Sequence, residues 1–406
     1  MAANPTTGSA FLNDVSQERG IREALQWFTR EKQWINDLHL QLCRIPSPTF
    51  LEQRRAEWVA AKFGDFGWET RIDRSGNVLA TFGPPRGESY VAATAHLDTV
   101  LAPRNNDEIS LDPDGKLHGP GVSDNGAGLT ALLAVAKAVQ VSPKQEEWQN
   151  DLLLVANVGE EGEGNLSGMR FLCKSSGIGK KIGSFLVLDG AATDHITTQA
   201  LGSRRFEITF TGPGGHSWSD FGTGNPVHAL SRAVSFWTEH HLNGAPRSSM
   251  NVGIVDGGTS VNSIPSFARA KVDIRSESDE KMDELVELLH AAVERAQDLE
   301  NQRASGGKVA ARIRDIGARP AAHLAEGAAI LNYVKAVDAH LGIRSRVDCA
   351  STDANIPLSL GIPAVSIGAG GTGGGAHTAH EWFCPNGRDL GLKRVFLAVS
   401  LLLRNL

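Results

Sequence analysis

Residues 151–165 read DLLLVANVGEEGEGN. An unbroken apolar run, 151–157, gives way within two residues to two adjacent glutamates, Glu160 and Glu161, framed by glycines. A strand without polar alternation is buried on both faces, as in a parallel sheet covered by helices. The loops at the carboxyl ends of such strands are where open α/β sheets bind their ligands. On extended backbone, neighbouring side chains point to opposite faces, so the two carboxylates cannot easily share one job. Taken alone, EE here is a solvated turn after a strand. The rest of the chain changes that reading.

Two further runs have the same character, SYVAATAH (89–96) and GSFLVLDG (183–190). Between and around them lie helical patterns. IREALQWFTREKQWINDLHLQLCRI (21–45) has apolar residues at helical spacing and is stopped by Pro46 and Pro48. FLEQRRAEWVAAKFGDFG (50–67) predicts a second amphipathic helix, and GAGLTALLAVAKAVQ (126–140) a small-residue helix able to pack closely on a sheet. The alternation predicts an α/β fold with a mostly parallel sheet flanked by helices.

After about residue 200 the pattern changes. SRRFEITFTG (203–212) alternates like a half-exposed strand, and 225–242 reads as a helix begun by Asn225 and Pro226. Two strands follow, MNVGIVDGG and SFARAKVDIRS, then a helix over 278–300 with Ser278 as N-cap, then a strand over 308–316. The order β-α-β-β-α-β predicts a ferredoxin-like α+β unit, inserted as residues 201–316 into a domain made of 1–200 and 317–406. Helices at 326–342 and 388–404 resume the first pattern.

Composition narrows the function classes. A formal net charge of −6, with 41% apolar and 21% charged residues, argues against nucleic acid or an anionic membrane as the main partner. No apolar run is long enough to span a membrane. MAANPTTGSAFLNDVSQERG (1–20) lacks a basic region followed by an apolar one, and the four cysteines are scattered without paired spacing. Both point to a cytoplasmic protein with free thiols.

Five stretches end a strand, or closely follow one, with a metal-type donor: AHLDTV (95–100), GVSDNGAG (121–128), GEEGEG (159–164), VLDG (187–190) and AHTAHEW (376–382). His96 and Asp98 are two apart, so on extended backbone both face one side, and Asp98 could fix the tautomer of His96. Asp124, in a glycine-rich turn feeding a helix, could bridge two cations. Glu161, Asp189 and His377 complete a set of two imidazoles and three carboxylates. That mixed N/O set suits zinc, with cobalt or manganese also compatible.

In HLDTV, GPGVSDNGAG, GEEGEG, LDG, GPGGHSW and HTAHE, nearly the whole chain resembles the dinuclear-zinc exopeptidases and deacylases. That family includes peptidase T, glutamate carboxypeptidase, acetylornithine deacetylase and succinyl-diaminopimelate desuccinylase. The resemblance implies two zinc ions per subunit, one held by His96 and Asp189, the other by Glu161 and His377, with Asp124 between them. It implies that Asp98 orients His96, and that Glu160 is the general base that later delivers a proton to the leaving amine. The inserted unit would be a lid and dimerisation domain. There His216 would help stabilise the oxyanion, from the partner subunit in a homodimer, while Asn262 and Arg275 would contact substrate. STDANIPLSLGIPAVSIG (351–368) is most similar to the peptidase T-like branch, implying a di- or tripeptide aminopeptidase. The alternatives are a carboxypeptidase or N-acyl-amino-acid deacylase gripping a substrate carboxylate through Arg275, and a non-catalytic relative that binds peptide or metal.

Other signals carry less. GAGGTG (368–373) satisfies GxGxxG without a following helix and reads as a loop that lets His377 approach. His380 reads as a neighbour of the site, Glu163 as a surface acid, and Glu381 as a residue behind the ligands.

Overall fold

The three apolar runs become neighbouring strands of one sheet. In the computed structural model, which describes residues 12–85, 89–141, 148–174, 177–242 and 244–405, the first strands are β1 (Glu69–Ile72), β2 (Val78–Thr81), β3 (Tyr90–His96), β4 (Asp151–Asn157), β5 (Ile182–Leu188) and β6 (His195–Ala200). The nine-stranded sheet runs β1, β2, β4, β3, β5, Ala364–Ile367, β6, then Ala322–His323, with Arg346–Ala350 also on β6. β3 is parallel to both β4 and β5, and β5 to Ala364–Ile367. β1 and β2 join antiparallel. Every residue of β3 is buried, as the absence of alternation requires. Because β3, β4 and β5 run the same way, their carboxyl ends, and the residues just beyond, emerge at one edge. His96 and Asn157 are register partners there.

The region read as one helix over 21–45 is two, Arg19–Arg30 and Lys32–Cys43, broken at Glu31 (φ −94°, ψ 26°). Each half turns its own apolar stripe to the core, Trp27 and Phe28 in the first, Leu38 and Leu42 in the second. The next helix starts at Gln53. Residues 48–52 form a turn instead, with the Leu51 N–H donating to the Pro48 carbonyl (2.8 Å). The helix Gly126–Val141 is buried at nearly every position. A Cβ at Gly126 would lie 2.5 Å from Cys43 Sγ, so only glycine lets this helix sit so close to its neighbour.

Chain contacts divide the molecule into two units, one ending at Ala200 and resuming at His323, the other running from Leu201 to Ala322. The second unit is a four-stranded antiparallel sheet of β7 (Gly202–Thr211), β8 (Ser248–Gly257), β9 (Phe267–Ser276) and β10 (Ala310–Arg319), in the order β8, β9, β7, β10. Helices Pro226–Thr238 and Asp279–Arg303 cover one face, packing Leu230, Trp237, Leu285 and Leu289 on Phe206, Ile208 and Phe210. The side chain of Asn225 accepts the Val227 and His228 N–H groups, and Ser278 accepts that of Lys281, which satisfies amides that a helix start leaves unpaired. Residues 1–11 of the stretch read for a targeting signal lie outside the described residues. Among the described residues no helix is long and apolar enough to cross a membrane.

Candidate metal centre

Six donors converge at the carboxyl edge of β3, β4 and β5. His96, Asp124 and Asp189 form one group, His96, Glu160 and Glu161 a second, and Asp124, Glu161 and His377 a third, each with its donor atoms within 4.8 Å of one another. His96 Nε2 is 3.2 Å from Asp124 Oδ1 and 3.9 Å from Asp189 Oδ1. His377 Nε2 is 3.1 Å from Asp124 Oδ2 and 2.9 Å from Glu161 Oε1. Asp124 therefore faces both imidazoles, one with each oxygen.

Two buried carboxylates behind the donors grip main chain. Asp98 Oδ1 accepts the N–H of Glu160 (3.0 Å), and its Oδ2 accepts the N–H of Glu161 (2.9 Å) and the Thr49 hydroxyl (2.9 Å). The nearer partner of His96 Nδ1 is the Asp98 carbonyl oxygen, at 3.0 Å, with the carboxylate at 3.5 Å. A carbonyl only accepts, so Nδ1 carries the hydrogen and neutral His96 would turn a lone pair on Nε2 to the site. Orientation of His96 by the Asp98 side chain, as expected, is thus the lesser of its contacts. Glu381 is the counterpart on the other side. Its Oε1 accepts the N–H groups of Ser123 and Asp124 (both 2.7 Å), and its Oε2 that of Gly121 (2.8 Å).

The glycine-rich stretch is more ordered than a loop. Thr372–Gly374 pairs antiparallel with Trp382–Cys384, and His377 sits between them at φ 65°, a left-handed conformation rare outside glycine. Such strain concentrates at functional sites. A Cβ at Gly373 would fall 2.1 Å from Ser123 Oγ. The glycine thereby brings this hairpin against the Asp124 turn.

The electrostatics demand positive charge. Burial opposes a charge on His96, yet Asp124, Asp189 and Asp98 outweigh it and hold its pKa well above the ordinary value. The contacts with Asp124 and Glu161 raise His377 to about 10. Burial would raise Asp124, but His377 and His96 bring it far below the usual carboxylate range. Without a metal, protonated imidazoles would balance these acids, and a divalent cation held by the same donors would supply that positive charge instead. Asp124 Oδ1 is buried without an aligned hydrogen bond. The donor set and this unsatisfied oxygen fit zinc, or cobalt or manganese.

Asp353, just past the strand Arg346–Ala350, is not among the expected donors. It is fully buried, its Oδ2 accepts Asn157 Nδ2 (2.7 Å), and burial together with nearby Asp189 and Asp98 pushes it up to about 7. The only hint was an acid at the end of one more strand. Glu52, whose Oε1 accepts the Gly159 N–H (3.1 Å), carried no hint at all.

The three residues expected in the inserted unit are not all neighbours. His216 pairs with Ser263 on a short ribbon, beside Asn262, whose carbonyl accepts the Ser217 N–H (3.0 Å). His216 Nδ1 accepts the N–H groups of Trp218 (3.2 Å) and Ser219 (3.3 Å). Arg275 lies near the far end of β9, eight residues from Phe267 and so roughly 25 Å along the strand. Its Nε donates to Asp273 Oδ2 at 2.7 Å. Arg275 is committed to a neighbour and stands apart from His216 and Asn262.

An α/β unit with clustered imidazoles and carboxylates at its strand ends, in one chain with an antiparallel α+β unit, marks a hydrolytic enzyme of the peptidase and deacylase class. Residues 77–212 match the model of peptidase family M28, and residues 199–299 that of a peptidase dimerisation domain. Together the two matches span residues 77–299 and liken the chain to metal-dependent peptidases and deacylases. It is 28% identical over 294 residues to the cytosol non-specific dipeptidase of Escherichia coli, covering 62% of this chain and 55% of the dipeptidase. It is 27% identical over 227 residues to the succinyl-diaminopimelate desuccinylase of Ruegeria pomeroyi, covering 51% of this chain and 58% of that enzyme. The chain thus spans little more than half the length of these two relatives. In fold it resembles a tripeptidase from Staphylococcus aureus, with a TM-score of 0.72, 18% identity, and coverage of 92% of this chain and 99% of the other.

Proposed function

We propose that the protein is a two-zinc exopeptidase that releases the N-terminal residue of di- or tripeptides, with cobalt or manganese able to replace zinc. The observation that carries this reading is the convergence of His96, Asp124, Glu161, Asp189 and His377, with Glu160 in the same cluster. His96 and Asp189 would hold one cation, Glu161 and His377 the other, and Asp124 would face both. Bound there, the metals supply Lewis acidity and an acidified water. Glu160 takes the proton of the attacking water on its carboxylate and returns it to the leaving amine. His216, with Nδ1 occupied as an acceptor, presents Nε2–H, the donor form that a developing oxyanion needs. Asn262 adjoins it as a substrate contact. The match to a peptidase dimerisation domain supports a homodimer formed through the inserted lid unit, and the four free cysteines suit a reducing, cytoplasmic setting.

The dipeptidase relative supports a small-peptide substrate. A carboxypeptidase or deacylase that depends on Arg275 has less support, because Asp273 already engages that guanidinium. The decisive experiment is Glu160→Gln, assayed on di- and tripeptides with metal content measured in parallel. The expected result is two metals retained and kcat reduced about 10²–10⁴-fold. Undiminished turnover would remove Glu160 from the mechanism.

A further inference from the structure

The two carboxylates that grip main chain divide the donors between them. Asp98 lies two residues past His96 and holds the Glu160 and Glu161 amides. Glu381 lies four residues past His377 and holds the turn that carries Asp124, through three N–H groups at 2.7–2.8 Å. Its own backbone is fixed as well. The Glu381 carbonyl accepts the Gly119 N–H (2.9 Å), and the adjoining Trp382 and Phe383 pair with His118 and Leu117. Glu381 is 2% exposed, so solvent does not compete for its oxygens. Charge-assisted bonds to main-chain N–H groups in such a place are strong.

We propose that Glu381 is a positioning residue that sets the spacing of Asp124 and His377, and that through it the Asp124–Glu161–His377 group forms as a unit. The inference rests on the two-metal reading. His96 and Asp189 do not depend on Glu381, since each emerges from its own strand of the central sheet. Loss of Glu381 therefore acts unequally. The group that contains Asp124 and His377 loses the register of two donors, and the His96–Asp189 side loses only the aim of Asp124.

Glutamine at this position keeps the shape but turns an NH₂ towards at least one of three N–H donors, which disrupts the grip. Aspartate keeps the charge at shorter reach. The test is titration of metal-free wild type, Glu381→Gln and Glu381→Asp with cobalt and with zinc, following stoichiometry, affinity and the cobalt visible spectrum, with circular dichroism to establish folding. The expected result is two cations in the wild type and, in Glu381→Gln, one cation bound almost normally and the second weakened about 10–100-fold. Glu381→Asp should fall between them, and it decides the matter if the glutamine variant does not fold. Folded variants that bind both cations with unchanged affinity and spectrum, or lose both to the same degree, would overturn the role of Glu381 alone. Wild type that takes up no divalent cation would overturn the two-metal reading and this inference with it.

Discussion

The Asp98 carboxylate accepts the Glu160 N–H at 3.0 Å, so the residue next to a candidate ligand also steadies the candidate base. Both its oxygens are used, the second by Glu161 and Thr49. Asp98→Asn replaces one acceptor by a donor that faces an N–H. The expected outcome is a loss of about 10–100-fold in metal affinity, together with a fall in kcat beyond that explained by missing metal. Equilibrium dialysis and single-turnover assays at saturating zinc separate the two effects.

Cation uptake should release protons. In the metal-free protein His377 holds its proton up to about 10, and a metal ligand must give it up. Affinity for zinc should therefore climb with pH from neutrality towards 10, and His377→Gln should flatten the climb. In the same metal-free protein the stabilisation from His377 is fully present below its unfolded value near 6.5 and is lost as pH rises through about 10. Proton release in weakly buffered zinc titrations measures the first effect, and urea midpoints the second.

Asp353 gives the opposite slope to metal-free stability. Its pKa rises on folding from 3.8 to about 7, so between those values the folded state binds a proton that the unfolded chain has lost. Stability should then decrease as pH increases across that window. Asp353→Asn should remove this decrease, leaving urea midpoints at pH 5 and pH 8 closer together than in the wild type.

Arg394, wholly buried, donates from Nε and Nη2 to the two oxygens of Asp338 at 2.6 and 2.7 Å. Asp338→Ala strands that charge and should cost about 3–5 kcal/mol, read as a lower urea midpoint. The variant that remains folded should keep its metal content.

Steric fit between the Asp124 turn and the His377 hairpin can be tested by complementation. A Cβ added at Gly373 collides with Ser123 Oγ and Cβ, at 2.1 and 2.9 Å. Gly373→Ala should push His377 out of reach and reduce zinc binding. Adding Ser123→Gly removes both colliding atoms and should restore much of it, a recovery that two independent destabilising changes would not give.

Much of the fold was readable because its signals are local. Unbroken apolar runs mark β3, β4 and β5, and Asn225 and Ser278 cap the helices they precede. β1 was missed because all but one of its four residues are exposed, leaving no apolar run to notice. The break at Glu31 leaves the apolar spacing over 21–45 intact, so the pattern reads as one continuous helix. The candidate donors could be picked out since each ends or follows a strand. The grip of Glu381 on the Asp124 turn spans 257 residues of sequence, and no local pattern encodes which amides a carboxylate will meet. Arg275 was named from a motif alone, and its pair with Asp273, two residues back on the same strand, is a contact that the motif does not encode.

That long span has a consequence for how the chain reaches its native state. The contact of Glu381 with Asp124 closes a loop that contains the whole of the second unit. Bringing such distant points together is entropically slow for an open chain. The hairpins and helices of Leu201–Ala322 pair mainly with one another, and their early collapse shortens the path that remains to be closed. On that order of events the candidate donor cluster would be among the last features to mature. Metal present during refolding would meet an incomplete set of donors at first, and would lock the final closure rather than seed it.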